Sequence, residues 1–339
     1  MSSIDEIMKD FNKKYKDELI HKGVSSYDYE RIPFTSTRLN YMSYGGIPIG
    51  KLIEFYGEEH GGKTTTALDI VANYQKLYDR TVLYLDAENT LDTVWATKLG
   101  VDVDALYIVS PTNQGAETLF QLVLDMIDTG EIGLVILDSL GVMVSNQAMG
   151  KSIEDKTYAG ISMALTQFSN RAEGLCKKHS CTLIGINQLR DDLNSTWGGT
   201  KTVGGRGWKH NASVRIEFMK GKYVDEKGNE LPNGAENPVG NIVNARMTKN
   251  KTCSPNRRRG YYTLNYLKGI NRVADLVDMA LQFDIIQKAG AWYSLVDVET
   301  GEILDKFQGQ SAIEARLESD IELFNTIMDK VLAEIEKAE

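Results

Sequence analysis

The chain has 339 residues, 42% of them hydrophobic, and a formal net charge of −9. That length suits about two domains around a large buried core, and the negative balance argues against a uniformly basic nucleic-acid binder. No apolar run approaches the ~18 residues of a membrane span, and the start Met1-Ser2-Ser3-Ile4-Asp5-Glu6 lacks a secretory pattern, so a cytoplasmic protein without membrane contact is expected.

Ser3 and Glu6 form a capping-box signal, and Ile4, Ile7, Met8, Phe11 and Tyr15 recur at helical spacing, which predicts an N-terminal amphipathic helix to about Ile20. A polar stretch and Pro33 separate it from the rest, so its apolar face is expected to pack on a neighbouring subunit. From Tyr41 onward strands alternate with helices. Strands are predicted at Lys51–Tyr56, Thr81–Asp86, Ala105–Val109, Leu134–Asp138, Thr182–Ile186 and Ser213–Met219, with helices at Lys63–Tyr78, Thr90–Leu99, Gly115–Asp128 and Tyr158–Lys178. Continuous apolar runs such as Leu134-Val135-Ile136-Leu137 suit strands buried on both faces, hence a mostly parallel sheet between helices. Two polar segments, Ser145 to Thr157 and Arg190 to Lys209, interrupt the rhythm, and both are long for structureless loops. Strands follow at Ile242–Thr248 and Tyr261–Leu267, then a helix with Val273, Leu276, Val277, Ala280 and Leu281 on one face, and a hairpin turning at Glu299-Thr300-Gly301.

Charge is unevenly placed. Arg246, Lys249, Lys251, Arg257, Arg258 and Arg259 fall in a stretch without acids, whereas the C-terminal segment is acidic and reads either as a solvated helix face or as a tail that modulates access of a polyanion to a basic groove. The three cysteines show no C-x-x-C pair, and although Cys176 and Cys181 flank His179, further ligands are lacking, so neither a disulfide framework nor a metal site is expected.

The chemistry concentrates after the strand that ends at Tyr56. Gly57-Glu58-Glu59-His60-Gly61-Gly62-Lys63-Thr64 has the G-x-x-x-x-G-K-[ST] spacing of a P-loop. Backbone N–H groups converge on phosphate only where bulky side chains are absent, and the following helix aims its positive end at the same anion. Lys63 is expected on the β/γ-phosphates, with Thr64 and Asp138 at Mg²⁺. Glu88, just past the strand ending at Asp86, is the candidate base for the attacking water. Lysines, arginines and Trp197 in the two long loops suit single-stranded nucleic acid, because phosphates are neutralised while bases stack.

The P-loop, Leu85-Asp86-Ala87-Glu88 with Leu91-Asp92, Leu137-Asp138-Ser139, Asn187-Gln188-Leu189-Arg190, Lys249-Asn250-Lys251 and Lys288-Ala289-Gly290-Ala291-Trp292-Tyr293-Ser294 stand in the order and spacing of RecA-type recombinases, and the chain resembles their bacterial and phage branch from about Ile47 to Ser294. The resemblance implies a P-loop α/β core with an N-terminal helix and a small mixed α/β C-terminal domain. Its expected divisions are 1–40 for polymerisation, 41–270 for the ATPase core and 271–339 for the last domain and acidic tail. It implies ATP and Mg²⁺ as cofactors, nucleotide contacts from Gly57, Glu58, Glu59, His60, Gly61, Gly62, Lys63, Thr64 and Thr65, and adenine contacts from Asp92 and Trp95. Gln188 falls where the family senses the γ-phosphate, and Lys249 and Lys251 where it reaches a neighbour's ATP. The long loops correspond to the DNA-binding loops, which assigns DNA contacts to Lys151, Lys156, Arg171, Arg190, Trp197, Gly204, Gly205, Arg206 and Lys209. His210 stands where the family often has Phe at an interface between subunits, so cooperativity is expected to respond to pH. The implied activity is DNA-dependent ATP hydrolysis driving homologous pairing and strand exchange in a helical filament. Its partners would be single-stranded DNA, homologous duplex DNA, further copies of the chain, and single-strand-binding and loader proteins. A ring-forming helicase or other DNA-dependent motor on the same core is the alternative, separable by helical filaments against closed rings in electron microscopy.

Overall fold

The computed structural model describes residues 3–15, 29–149, 160–191, 199–226, 228–232, 234–297 and 300–337. The apolar runs lie in the middle of its main sheet: Leu52–Gly57 and Ile132–Asp138 are buried at every position. Strands covered on both faces have this character. Nine strands lie side by side in the order Gly269–Ile270, Arg259–Asn265, Gly240–Asn250, Val214–Val224, Leu52–Gly57, Thr182–Asp191, Ile132–Asp138, Thr81–Asp86 and Leu106–Val109. Thr200–Thr202 adds antiparallel to Thr182–Asp191. Pairing is parallel from Val214–Val224 to Leu106–Val109 and antiparallel from Val214–Val224 to the opposite edge.

Successive side chains on a strand face opposite ways, and two cores result. Ile53 and Phe55 pack with Ala67, Ile70 and Val71 of the helix Lys63–Leu77 on one face. Leu52, Leu83 and Val135 pack with the helices Ala116–Asp128 and Gly160–His179 on the other. Cys176, Cys181 and Cys253 are buried free thiols. A third core joins the helix Arg272–Gln282, the antiparallel strands Ile286–Ala289, Trp292–Val296 and Ile303–Gln308, and the helices Gln310–Ser319 and Ile321–Lys337.

One expectation needs adjustment. The helix predicted over Thr90–Leu99 is only Thr93–Lys98, because the Asp86 carboxylate accepts from the backbone N–H of Thr90 and Leu91 and holds them outside it, while Asp92 caps its start. The cations of the 241–260 stretch do not form one exposed patch. Arg257 is buried between the rings of Tyr41 and Tyr44 and donates to the Ile335 carbonyl, Arg246 pairs with Glu217, and Arg258 donates to the Pro255 carbonyl. The N-terminal helix is described over Ile4–Tyr15, with Ser3 and Glu6 bonded reciprocally at its start; the expected continuation to Ile20 lies outside the described residues. It buries none of its residues, and Ile4, Ile7 and Phe11 stay exposed.

The C-terminal unit meets the large sheet at a buried polar junction. Asp275 accepts from the Arg38 backbone N–H at 3.0 Å, Tyr261 donates to Asp278 at 3.0 Å, and the Arg38 guanidinium stacks on Tyr261. Burial pushes the Asp275 carboxyl up to about 7. A folded-state value above the unfolded one means that the folded protein holds the proton longer, so the contribution is present at low pH and is lost as pH rises from about 4 through about 7. Asp275→Asn is therefore expected to match the parent in unfolding free energy near pH 3.5 and to exceed it at pH 8 by roughly 1–3 kcal/mol, with a correspondingly higher urea midpoint. Equal midpoints at pH 8 would remove the assignment.

Candidate nucleotide and nucleic-acid site

Parallel strands bring their carboxyl ends to one edge, where such sheets hold ligands. Here Gly57 pairs with Gln188 and Asp86 with Asp138, so the P-loop, Gln188, Asp138 and Glu88 share that edge. The loop can approach an anion closely because its glycines are required by packing. A Cβ on Gly57 would stand 2.0 Å from the Phe218 carbonyl oxygen, one on Gly61 2.8 Å from the same atom, and one on Gly62 2.8 Å from Val243. Gly62 caps the helix Lys63–Leu77 in the left-handed region at φ 95°, and the helix start supplies unpaired N–H groups.

Lys63 is buried and donates to the carbonyls of Gly57 at 3.1 Å and Glu58 at 2.6 Å. Desolvation lowers its pKa, and the carboxylates of Asp138, Glu88, Glu59 and Glu58 oppose that shift. Thr64 donates to Asp138 at 2.9 Å and Tyr84 donates to the same oxygen at 2.8 Å. Burial raises the Asp138 carboxyl, the two hydrogen bonds oppose it, and the neighbouring charges of Glu88 and Asp86 add to it. A hydroxyl beside a buried carboxylate that gains from a nearby cation fits Mg²⁺. Glu88 accepts from Ser139 at 2.5 Å and from the Gln188 amide at 3.1 Å. These groups line a cleft of about 410 Å³ with Glu59, His60, Thr90 and Ile186.

A second cleft of about 350 Å³ continues past Gly61, Gly62 and Thr65 to Lys220, Asn241, Leu264 and Tyr266. Those last four escaped the sequence reading, because antiparallel pairing of distant segments brings them to the loop and no local motif marks them. Trp95 reaches the same region, its indole N–H donating to Thr65 at 3.4 Å, while Asp92 accepts from the Trp95 backbone.

Lys249 and Lys251 lie elsewhere. Asn250 pairs with Val214 and Val214 with Ile53, four residues before Gly57, which places the lysines about 13 Å back toward the amino edge of the parallel strands. There Lys249 donates to the carbonyls of Lys209 at 2.6 Å and His210 at 2.8 Å, and Lys251 to His210 at 3.1 Å. These are the last-turn carbonyls of the helix Gly205–Asn211. Burial first, then the charges of Lys251 and Arg215, pull the Lys249 amine down to about 8.

Of the nucleic-acid candidates, Lys151, Lys156 and Trp197 lie outside the described residues. Arg190 donates to the Gly141 carbonyl at 2.5 Å, tying the roots of the two loops together. Gly204 and Gly205 adopt φ 98° and 66° at the start of the helix Gly205–Asn211, where a Cβ on Gly204 would meet Leu165 at 2.3 Å; Arg206 is exposed in the first turn. Lys209 is half-buried. Arg171 is instead engaged with Gln121 across the helix pair Ala116–Asp128 and Gly160–His179.

A P-loop at the carboxyl edge of a parallel sheet, with an acidic strand end and a carboxylate beside it, defines a P-loop nucleotide-binding protein of the α/β class. A family model described as the RecA N-terminal domain matches residues 2–271, and one described as the RecA C-terminal domain matches residues 274–336. Protein RecA of Fusobacterium nucleatum is 34% identical over 315 residues, 92% of this chain and 76% of that protein. Protein RecA of Clostridioides difficile is 32% identical over 293 residues, 86% of this chain and 79% of that protein. The chain belongs to the RecA family of recombinases. The likeness extends beyond the motif-bearing stretch, reaching residues on both sides that carry no short signature. No helix among the described residues is long and apolar enough to cross a membrane.

Proposed function

We propose that this protein polymerises on single-stranded DNA, pairs it with homologous duplex and exchanges strands, hydrolysing ATP to ADP and phosphate in the cytoplasm. The observation that carries the reading is the convergence of Lys63, the Thr64–Asp138 pair and the Glu88–Gln188 pair on one cleft at the root of a glycine-rich loop. Lys63 holds the β/γ-phosphates, Thr64 and Asp138 hold Mg²⁺, and Asp92 and Trp95 hold the adenine. Mg²⁺ supplies charge neutralisation at the phosphates when bound. Glu88 orients and deprotonates water, while Gln188, already bonded to Glu88, passes the state of the γ-phosphate to the strand that leads into the second loop. The loops carry the DNA contacts through Lys151, Lys156, Arg190, Trp197, Arg206 and Lys209. Because these go to phosphates and base faces, sequence is read by base pairing, and binding weakens steeply with salt. The N-terminal helix, with its unburied apolar face, docks on a neighbouring subunit. ATP shifts the filament between two states by its unequal affinity for them.

Glu88→Gln keeps the shape and the hydrogen bonds but cannot take a proton. ATP turnover with single-stranded DNA is expected to fall about 10²- to 10³-fold, with ATP affinity within about threefold of the parent. Turnover equal to the parent would overturn the base assignment, and a parent whose hydrolysis ignores DNA would overturn the reading as a whole.

A further inference from the structure

Next to Gln188, but on the opposite face of the same strand, Asn187 is fully buried. Its amide nitrogen donates to Glu54 at 2.9 Å and to the Val203 carbonyl at 2.9 Å. Glu54 is itself fully buried and its other carboxylate oxygen pairs with Arg215, whose guanidinium lies over the Tyr56 ring. Tyr56 in turn donates to Thr248, the neighbour of Lys249, at 3.0 Å. One chain of contacts therefore runs from the end of the second loop through Asn187 to the P-loop strand and on to the strand that carries the lysine pair.

Three buried polar atoms around that loop have no hydrogen-bond partner among the described residues: the Asn187 amide oxygen, the Thr202 hydroxyl and the Trp208 indole N–H. They flank the loop at both ends. Thr202 pairs with Leu189, and Trp208 packs so closely on Gly185 that a Cβ there would stand 2.5 Å away. Buried groups left unpaired are uncommon in a settled core, and here they gather where the loop is anchored to the nucleotide strand.

We propose that Asn187 is a positioning residue that couples the nucleotide site to the second loop: with one amide nitrogen spanning Glu54 and Val203, it sets the loop's exit against the strand that bears Gln188. The inference rests on the functional reading given above. It assigns to Asn187 no contact with nucleotide or DNA. Removing it leaves phosphate binding intact and uncouples the loop.

The test compares the parent with Asn187→Leu, which keeps the branched heavy-atom skeleton, is somewhat bulkier and has no donor. ATP affinity and DNA-free turnover are expected within about threefold of the parent. DNA stimulation of turnover is expected to drop at least about tenfold, and the nucleotide-dependent protection of backbone amides over residues 199–211, read by hydrogen exchange with a non-hydrolysable ATP analogue, to disappear. A purely structural asparagine would alter stability but leave that nucleotide-dependent difference in place. Where Asn187→Leu is insoluble, Asn187→Ser, too short to span Glu54 and Val203 together, is read the same way. Parental DNA stimulation retained by the variant, with unchanged exchange differences, overturns the role of Asn187 alone. Absence of DNA stimulation in the parent overturns the functional reading and this inference with it.

Discussion

Lys63→Ala is expected to weaken ATP binding about 10²- to 10³-fold, a loss of about 3–4 kcal/mol, and to abolish hydrolysis. The ammonium is a buried charge whose partners are two loop carbonyls and a ring of carboxylates, and its desolvation already disfavours the charged state. Phosphate supplies in direct contact the counter-charge that the two carbonyls lack, so the side chain contributes far more to the complex than to the fold. Removing it from the free protein takes away a costly buried charge together with two hydrogen bonds, effects of opposite sign. The melting temperature without nucleotide should therefore stay within a few degrees of the parent, about 3 °C for a chain of this size. Equilibrium titration with a fluorescent ATP analogue checks the first statement and a thermal scan the second. Parental affinity in a folded Lys63→Ala protein would separate the P-loop from nucleotide binding.

The double variant Lys249→Ala, Lys251→Ala should fail differently. The register places these residues at the amino edge of the parallel strands, about 13 Å behind Gly57, beyond the reach of their side chains to their own phosphates. Within one subunit their visible work is to hold the last carbonyls of the helix Gly205–Asn211, worth about 0.3–1 kcal/mol by ordinary helix-end electrostatics. An effect of that size changes a rate less than tenfold. If the pair instead serves the ATP of the next subunit, DNA-stimulated turnover falls about 10³-fold while ATP affinity of the isolated protein holds, as for a cation delivered in trans. Steady-state ATPase assays with saturating single-stranded DNA distinguish the two sizes of effect.

Much of this was legible in the sequence, for reasons that differ from element to element. The P-loop announces itself because phosphate binding constrains consecutive residues: glycines where a Cβ would strike Phe218 or Val243, then a lysine and a hydroxyl. The central strands read as continuous apolar runs because helices cover both faces. The antiparallel half of the sheet was harder to see. Lys220, Asn241, Leu264 and Tyr266 reach the nucleotide side only through pairing between segments that no local pattern links. The basic stretch shows the same limit. Its lack of acids is visible in the sequence, but alternation along the strand and two tyrosine rings distribute Arg246, Lys249 and Arg257 to different partners. Glu54 and Arg215 carry no signature, and although Asn187 stands in the run Asn187-Gln188-Leu189-Arg190, nothing in that run tells what its side chain bonds until the sheet is assembled.

We propose that a working ATP site is shared by adjacent subunits, Lys63 and Glu88 from one and Lys249 and Lys251 from the next. Mixing equal amounts of Lys63→Ala protein and the Lys249→Ala, Lys251→Ala protein on single-stranded DNA tests it most directly. Each is inactive alone, and random co-assembly joins an intact P-loop to an intact lysine pair at about one junction in four, so DNA-dependent ATPase should recover to roughly a quarter of the parental rate. A mixture that forms joint filaments yet hydrolyses no more ATP than its separate components would contradict the shared site.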